Sequence, residues 1–192
     1  MLNLVRALVL GGVFSLGMTP SIARAVPSDT SGLQFLGFRA GARLEELDAR
    51  LRDLGGSGLR CRRSKVDTRV IECRGKLTSP VLSAPVELWV SAIDSLAGVI
   101  TISGLLRQSQ LDEWRRQLQD QYGTVGPKIQ GSQWMLQWVR RGRMLRLTWR
   151  LEGAGKAASV SLVDGRVLDE WGRSRVPVPA MRGTADPAGA SS

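Results

Sequence analysis

SQWMLQWVRRGRMLRLTWRL, Ser132 to Leu151, alternates bulky apolar and polar residues on both sides of Arg141-Gly142. Counting outward from that dipeptide pairs Val139 with Met144, Trp138 with Leu145, Leu136 with Leu147 and Trp134 with Trp149. Side chains alternate sides along a strand and cross-strand partners share a side, so Trp134, Leu136, Trp138, Leu145, Leu147 and Trp149 make one apolar face. Gln133, Met135, Gln137, Val139, Met144, Arg146, Thr148 and Arg150 make the other, a mixed and basic face that tolerates water. A short Gly-containing loop between two such runs predicts a β-hairpin that needs a cover on its tryptophan side.

Helical periodicity supplies covers. In ARLEELDARLRDLGG, after Gly41, Leu44, Leu47, Leu51 and Leu54 recur at helical spacing, Glu45 and Glu46 sit at the positive end of the dipole, and Gly55-Gly56 ends the run. In LDEWRRQLQDQY, Leu111, Trp114, Leu118 and Tyr122 or Gln121 form a second stripe, stopped by Gly123. This second helix is expected to pack on the three tryptophans of the hairpin. The alternative is that some indoles line an exposed concave surface as anchors for a protein or glycan.

Further runs read as strands: Val86 to Ile93, Val99 to Leu105 and Ala157 to Val163, with residues 94 to 98 expected to connect the first two. Leu33 to Phe38 is a short strand or a turn of helix. RVLDEW, residues 166–171, is a brief helix with Val167, Leu168 and Trp171 free to pack. Cys61 and Cys73 flank a second hairpin at about residues 59 to 77. If Val66-Asp67-Thr68 form its loop, Cys61 falls opposite Cys73, Arg62 opposite Glu72 and Arg63 opposite Ile71, and an even cysteine count in an exported chain predicts one bridge.

The first 25 residues have an early Arg6, an apolar run from Ala7 to Met18 and the small-residue pattern Ala23-Arg24-Ala25. This is the pattern of a secretory signal cleaved near Ala25, and the run is too short to span a bilayer. No cysteine stands at that point for lipid attachment. Residues 26–32 read as a flexible lead-in and 176–192, rich in Pro, Ala, Gly and Ser, as a disordered tail. The domain between them spans 33–175.

Lysine and arginine number 27 against 17 acids, a formal charge of +10 in 192 residues. Such a balance favours anionic partners or surfaces. Arginines interleaved with aromatics also suit nucleic acid, but export argues against that partner, and none is expected.

No histidine occurs anywhere in the chain, which removes Ser-His-Asp and Cys-His machinery and histidine-based zinc sites. Lys65, Lys76, Lys128 and Lys156 fall in turns or at strand ends. Glu45 with Glu46 and Asp112 with Glu113 are sequence neighbours that do not face one another on a helix. No phosphate-loop or dinucleotide pattern is present. The expectation is a non-enzymatic protein with no cofactor and no metal, the alternative being a hydrolase whose acids the sequence does not name.

The two helical patterns align: Leu44-Glu45-Glu46-Leu47, then Leu51, Leu54 and Gly55, matches Leu111-Asp112-Glu113-Trp114, then Leu118, Tyr122 and Gly123. Each is followed by hairpin strands, so a duplicated helix-plus-hairpin module is expected, with repeats at 33–105 and 106–171. The fold class is α+β, an antiparallel sheet with helices packed on one face. Phe38-Arg39-Ala40-Gly41 leading into Leu44-Glu45-Glu46-Leu47, the Gly-terminated helix, the cystine hairpin and the second copy together resemble the β-lactamase-inhibitor-protein type of fold. They resemble equally its small relatives among outer-membrane assembly lipoproteins. That resemblance implies protein binding through the open sheet face.

On these grounds the candidate binding residues are Gln133, Gln137, Arg140, Arg141, Arg143, Met144, Arg146 and Arg150. The expected partner is a protein of the cell envelope, in the periplasm or outside the cell. The alternative is an anionic envelope polymer, glycolipid or peptidoglycan, met by a basic surface.

Overall fold

A computed structural model describes residues 32–78 and 84–174. The expected signal segment, nearly all of the lead-in and the expected tail lie outside those residues. All the described residues belong to the unit Ser31–Ser192.

The Trp hairpin forms in the expected register: β8 (Gln133–Arg140) and β9 (Arg143–Glu152) pair Trp134 with Trp149, Leu136 with Leu147 and Trp138 with Leu145. The turn residues Arg141 and Gly142 both have positive φ, 49° and 76°, the twist that a two-residue hairpin loop needs. The same topology occurs twice in the chain. Helix α1 (Leu44–Asp53) precedes a four-strand meander of β3 (Arg60–Arg63), β4 (Val70–Leu77), β5 (Val86–Ile93) and β6 (Leu96–Leu106). Helix α2 (Gln108–Tyr122) precedes β7 (Lys128–Gln130), β8, β9 and β10 (Gly155–Asp164). The last strands of the two meanders pair antiparallel, giving one eight-stranded sheet in the order β3-β4-β5-β6-β10-β9-β8-β7. The repeating unit is thus a helix with four strands rather than a helix with a hairpin.

The middle of one face of this sheet, the inner face, is apolar. Val90 and Ile100 from the first meander and Leu145, Leu147, Val160 and Leu162 from the second have no exposed surface. Each such side chain contributes about 1.5–3 kcal/mol through burial. The helices and a tight hairpin of β1 (Gln34–Phe35) and β2 (Phe38–Arg39) cover it. Leu36 and Gly37 turn that hairpin at φ 52° and 80°, so Leu33 to Phe38 is neither one strand nor a turn of helix but a two-residue strand and the turn into the next. α1 lies so close to the sheet that a Cβ on Gly75 would collide with Leu51, so glycine is required there.

α2 covers the tryptophans, as expected. Trp114, Trp138 and Trp149 are buried; Trp134, at the margin, keeps 42% of its surface exposed and stacks on Trp149 at 6.3 Å. The carbonyls at the end of α2 are satisfied from the sheet: Trp138 Nε1 donates to Gly123 O at 2.8 Å and Arg140 Nη2 to Tyr122 O at 2.9 Å. The Tyr122 hydroxyl donates to Gln34 O at 2.7 Å and accepts from Gln34 N, fastening β1 to α2. Burial raises the Tyr122 hydroxyl above its ordinary range.

The cystine hairpin also has the expected register, with Cys61 bonded to Cys73 and Arg62 paired with Glu72 at 2.8 Å. One connection differs from expectation. β5 and β6 are joined by a two-residue turn at Asp94-Ser95, both at positive φ, so β6 starts at Leu96. Gly98, expected in the loop, is instead the extra residue of a bulge inside β6, where the pairing shifts between Ser91 and Ala92.

The third helix, α3 (Gly165–Arg173), goes to the outer face. Ile93 points outward by alternation, yet it is only 8% exposed and stands apart from the inner core. A Cβ on Gly98 would meet Leu168 at 3.0 Å, Val167 at 3.5 Å and Ile93 at 3.7 Å, so α3 lies over this end of the sheet.

Truncating Leu147, fully buried between Leu136 and Val160, should cost about 2–5 kcal/mol, read as a lower urea midpoint for Leu147→Ala by tryptophan fluorescence. Reducing the Cys61–Cys73 bridge should lower stability by about 3 kcal/mol, the value for a loop of this size, measured by thermal unfolding with and without reductant.

Candidate functional site

With α1, α2 and the β1–β2 hairpin on the inner face and α3 over one end of the other, no further element among the described residues covers the rest of the outer face. Pairing registers place its residues in rows that cross both meanders. One row runs Arg74, Trp89, Thr101, Ser161, Arg146, Gln137. The next runs Lys76, Glu87, Ser103, Ser159, Thr148, Met135.

Small hydroxyl residues therefore floor the middle of the face. Thr101 Oγ1 and Ser161 Oγ share a hydrogen bond of 3.3 Å, and Thr148 Oγ1 and Ser159 Oγ one of 2.9 Å. Longer cationic side chains stand on either side. Two adjoining grooves follow this relief. One, of about 590 Å³, is lined by Ser103, Leu105, Thr148, Ser159, Gln133 and Arg150; the other, of about 780 Å³, by Arg60, Arg74 and Trp89. They meet at Lys76, Glu87 and Ser103. Trp89 is 37% exposed and Leu105 59%, so each groove offers an apolar contact.

The sequence-nominated residues separate into two groups. Gln133, Gln137, Met144, Arg146 and Arg150 lie on this outer face. Arg146 donates through Nε and Nη2 to Gln137 Oε1, at 3.1 and 2.9 Å, and Arg150 pairs with Glu152 at 2.9 Å. Arg140, Arg141 and Arg143 do not join them. Arg140 holds the end of α2 and sits over the Tyr122 ring at 5.5 Å. Arg143 donates to Asp164 Oδ2 at 2.7 Å, an ion pair in which Asp164 is almost wholly buried and also caps α3 through Arg166 N–H. Arg141 is in the turn, its carbonyl facing Arg166. Both Arg140 and Arg143 therefore serve packing on the tryptophan side. The face gains what the sequence did not nominate: Arg74, Lys76 and Trp89 from the first meander.

α3 closes one end of the face and is latched to the cystine hairpin. Trp171 Nε1 donates to Asp67 Oδ2 at 2.9 Å, Arg69 grips both carboxylate oxygens at 3.0 and 3.2 Å, and Arg69 Nη1 reaches Ser174 Oγ at 2.6 Å. These bonds, those from the Arg69 side chain foremost and then Trp171, hold the Asp67 carboxyl far below its ordinary range.

Among the described residues no group of three or more His, Cys, Asp or Glu side chains is placed to hold a metal ion, and no helix is long and apolar enough to cross a membrane. Comparison with protein-family models, with curated proteins and with solved structures finds no match to this chain.

Because the folded Asp67 value is depressed, its stabilising contribution is present above the unfolded value, about 3.9, and is lost as pH falls through the folded one. The stability difference between the wild type and Asp67→Asn should therefore stay constant from neutral pH to about 4 and shrink in stronger acid. Hydrogen exchange of the α3 amides against pH checks this; a loss centred near neutral pH would contradict it.

Proposed function

We propose that the protein is an exported, non-catalytic binding module that recognises a protein partner of the cell envelope through the outer face of its sheet. The observation that carries this is the uncovered part of that face: eight strands present a continuous grooved surface to which both meanders contribute, with a small-residue floor, cationic sides and exposed Trp89 and Leu105. Such a mixture of polar floor and aromatic anchor suits a protein interface. The disulfide is compatible with an oxidising compartment, and the resemblance to β-lactamase-inhibitor-type domains points to the same face. The absence of histidine and the use of Asp67, Asp164 and Arg143 in structural contacts support a non-catalytic role.

A second reading draws on the cations alone: a basic face that rests on anionic glycolipid or peptidoglycan. The two differ in their response to salt, because a surface held by exposed charges is screened at physiological ionic strength. A photo-crosslinker at Ser103 should capture one discrete envelope protein, and salt should leave the complex intact. The same group at Val66, which is 89% exposed in the cystine-hairpin loop, should capture none. Retention on anionic vesicles that salt removes and Arg146→Ala with Arg150→Ala abolishes would favour the second reading, and turnover of an envelope substrate would overturn both.

A further inference from the structure

Accepting the outer face as the docking surface, we infer that its partner presents an acidic, extended polypeptide segment that lies across the sheet between two cationic walls. Arg74 and Lys76 on β4 form one wall, and Arg146 and Arg150 on β9 the other. Arg74 and Arg146 occupy the same cross-strand row, with Trp89, Thr101 and Ser161 between them. Four strand spacings separate them, roughly 19 Å.

Three features fix the occupant's chemistry. First, three of the four wall cations carry charge that the fold does not neutralise: Arg74 and Lys76 enter no ion pair among the described residues, and Arg146 spends its donors on the neutral amide of Gln137, whereas Arg150 pairs with Glu152. Glu87, the acid in the floor, faces Lys76 directly and Glu152 answers Arg150, which leaves Arg74 and Arg146, one on each wall, without a facing acid. Carboxylates spaced along a chain would meet both walls. Second, the floor between them is short hydroxyls that both donate and accept, which matches the alternating N–H and C=O of an extended backbone. Third, exposed Trp89 and Leu105 give apolar side chains of the same segment a place to rest. A flat bilayer meets the rims of such a surface before its floor, so a polypeptide is the occupant the relief selects.

The test uses the folded disulfide-bonded chain and two peptides of roughly 12 residues, long enough to cross the walls at about 3.3 Å per residue. One peptide carries glutamate at every third position and its twin carries glutamine there. The glutamate peptide should bind and shift the backbone amide signals of Thr101, Ser103, Ser159 and Ser161; held mainly by charge, this short peptide weakens as salt rises, whereas the whole partner adds apolar contact at Trp89 and Leu105 and keeps its complex. Arg74→Ala with Arg146→Ala should weaken it about tenfold or more, while Arg52→Ala, on the exposed side of α1, should not; an unchanged unfolding midpoint excludes misfolding.

Equal binding of both peptides at the floor would overturn the acidic assignment and leave the docking face standing. Failure of both to bind, or shifts confined to other elements, would overturn the inference; a Ser103 crosslink to an envelope protein would then show that the face itself still docks a partner. Tighter binding of phosphatidylglycerol vesicles or of a sulfated glycan fragment at the same residues would overturn the polypeptide class.

Discussion

The pairing of β6 with β10 is the constraint on which the rest of the molecule depends. Each meander alone has four strands and one greasy face, and neither carries a helix able to cover a sheet of twice that width. Joined along Val99–Leu106 and Lys156–Val163, they put Ile100 opposite Leu162 and Ile102 opposite Val160 on one side, and Thr101 opposite Ser161 on the other. The inner core becomes continuous across the join, and so does the hydroxyl floor outside. A single set of backbone hydrogen bonds thereby builds the core and the candidate docking face together.

Distribution of helices follows from that. α1 and α2 lie over the two halves of the inner face, and the Phe35–Trp114 edge contact, at 4.9 Å, ties the small β1–β2 hairpin to α2. α3 has no fully buried residue and relies on half-buried Val167, Leu168 and Trp171, with Asp164 at its start and the Asp67–Arg69 pair near its end. It closes only the end of the outer face where Ile93 and the Gly98 bulge lie. Among the described residues nothing closes the grooves toward Lys76 and Arg150.

Much of this was legible because it is local. Period-two alternation with a two-residue turn fixes the Trp hairpin, and the Cys61–Cys73 spacing fixes its neighbour's register, since a turn ties both strands of each. Helical spacing of Leu44 to Leu54 and of Leu111 to Tyr122 marks α1 and α2. The β6–β10 join has no turn to announce it: its partners are 50 to 64 residues apart, and strand runs of similar composition fit several neighbours. For that reason Arg74, Lys76 and Trp89 could not be assigned to the same surface as Arg146. β7, three residues with no periodicity of their own, leaves no trace. Glycine misled at one point, where Gly98 looked like a turn and Asp94-Ser95 took the positive φ instead. Arg140 and Arg143 were recoverable in principle, because the count that places Trp138 and Leu145 inward places these two on the same side.

Solvent access along the hairpin tests the account most directly. Single cysteines placed in turn from Gln133 to Arg150, in the disulfide-bonded chain, would be labelled with a soluble thiol reagent under native conditions. Labelling that alternates with period two, fast at Gln137, Arg146 and Thr148 and blocked at Leu136, Leu145 and Leu147, is the predicted result. A period near 3.6, or equal labelling of both sets, would contradict the sorting of apolar and cationic side chains to opposite faces of one sheet.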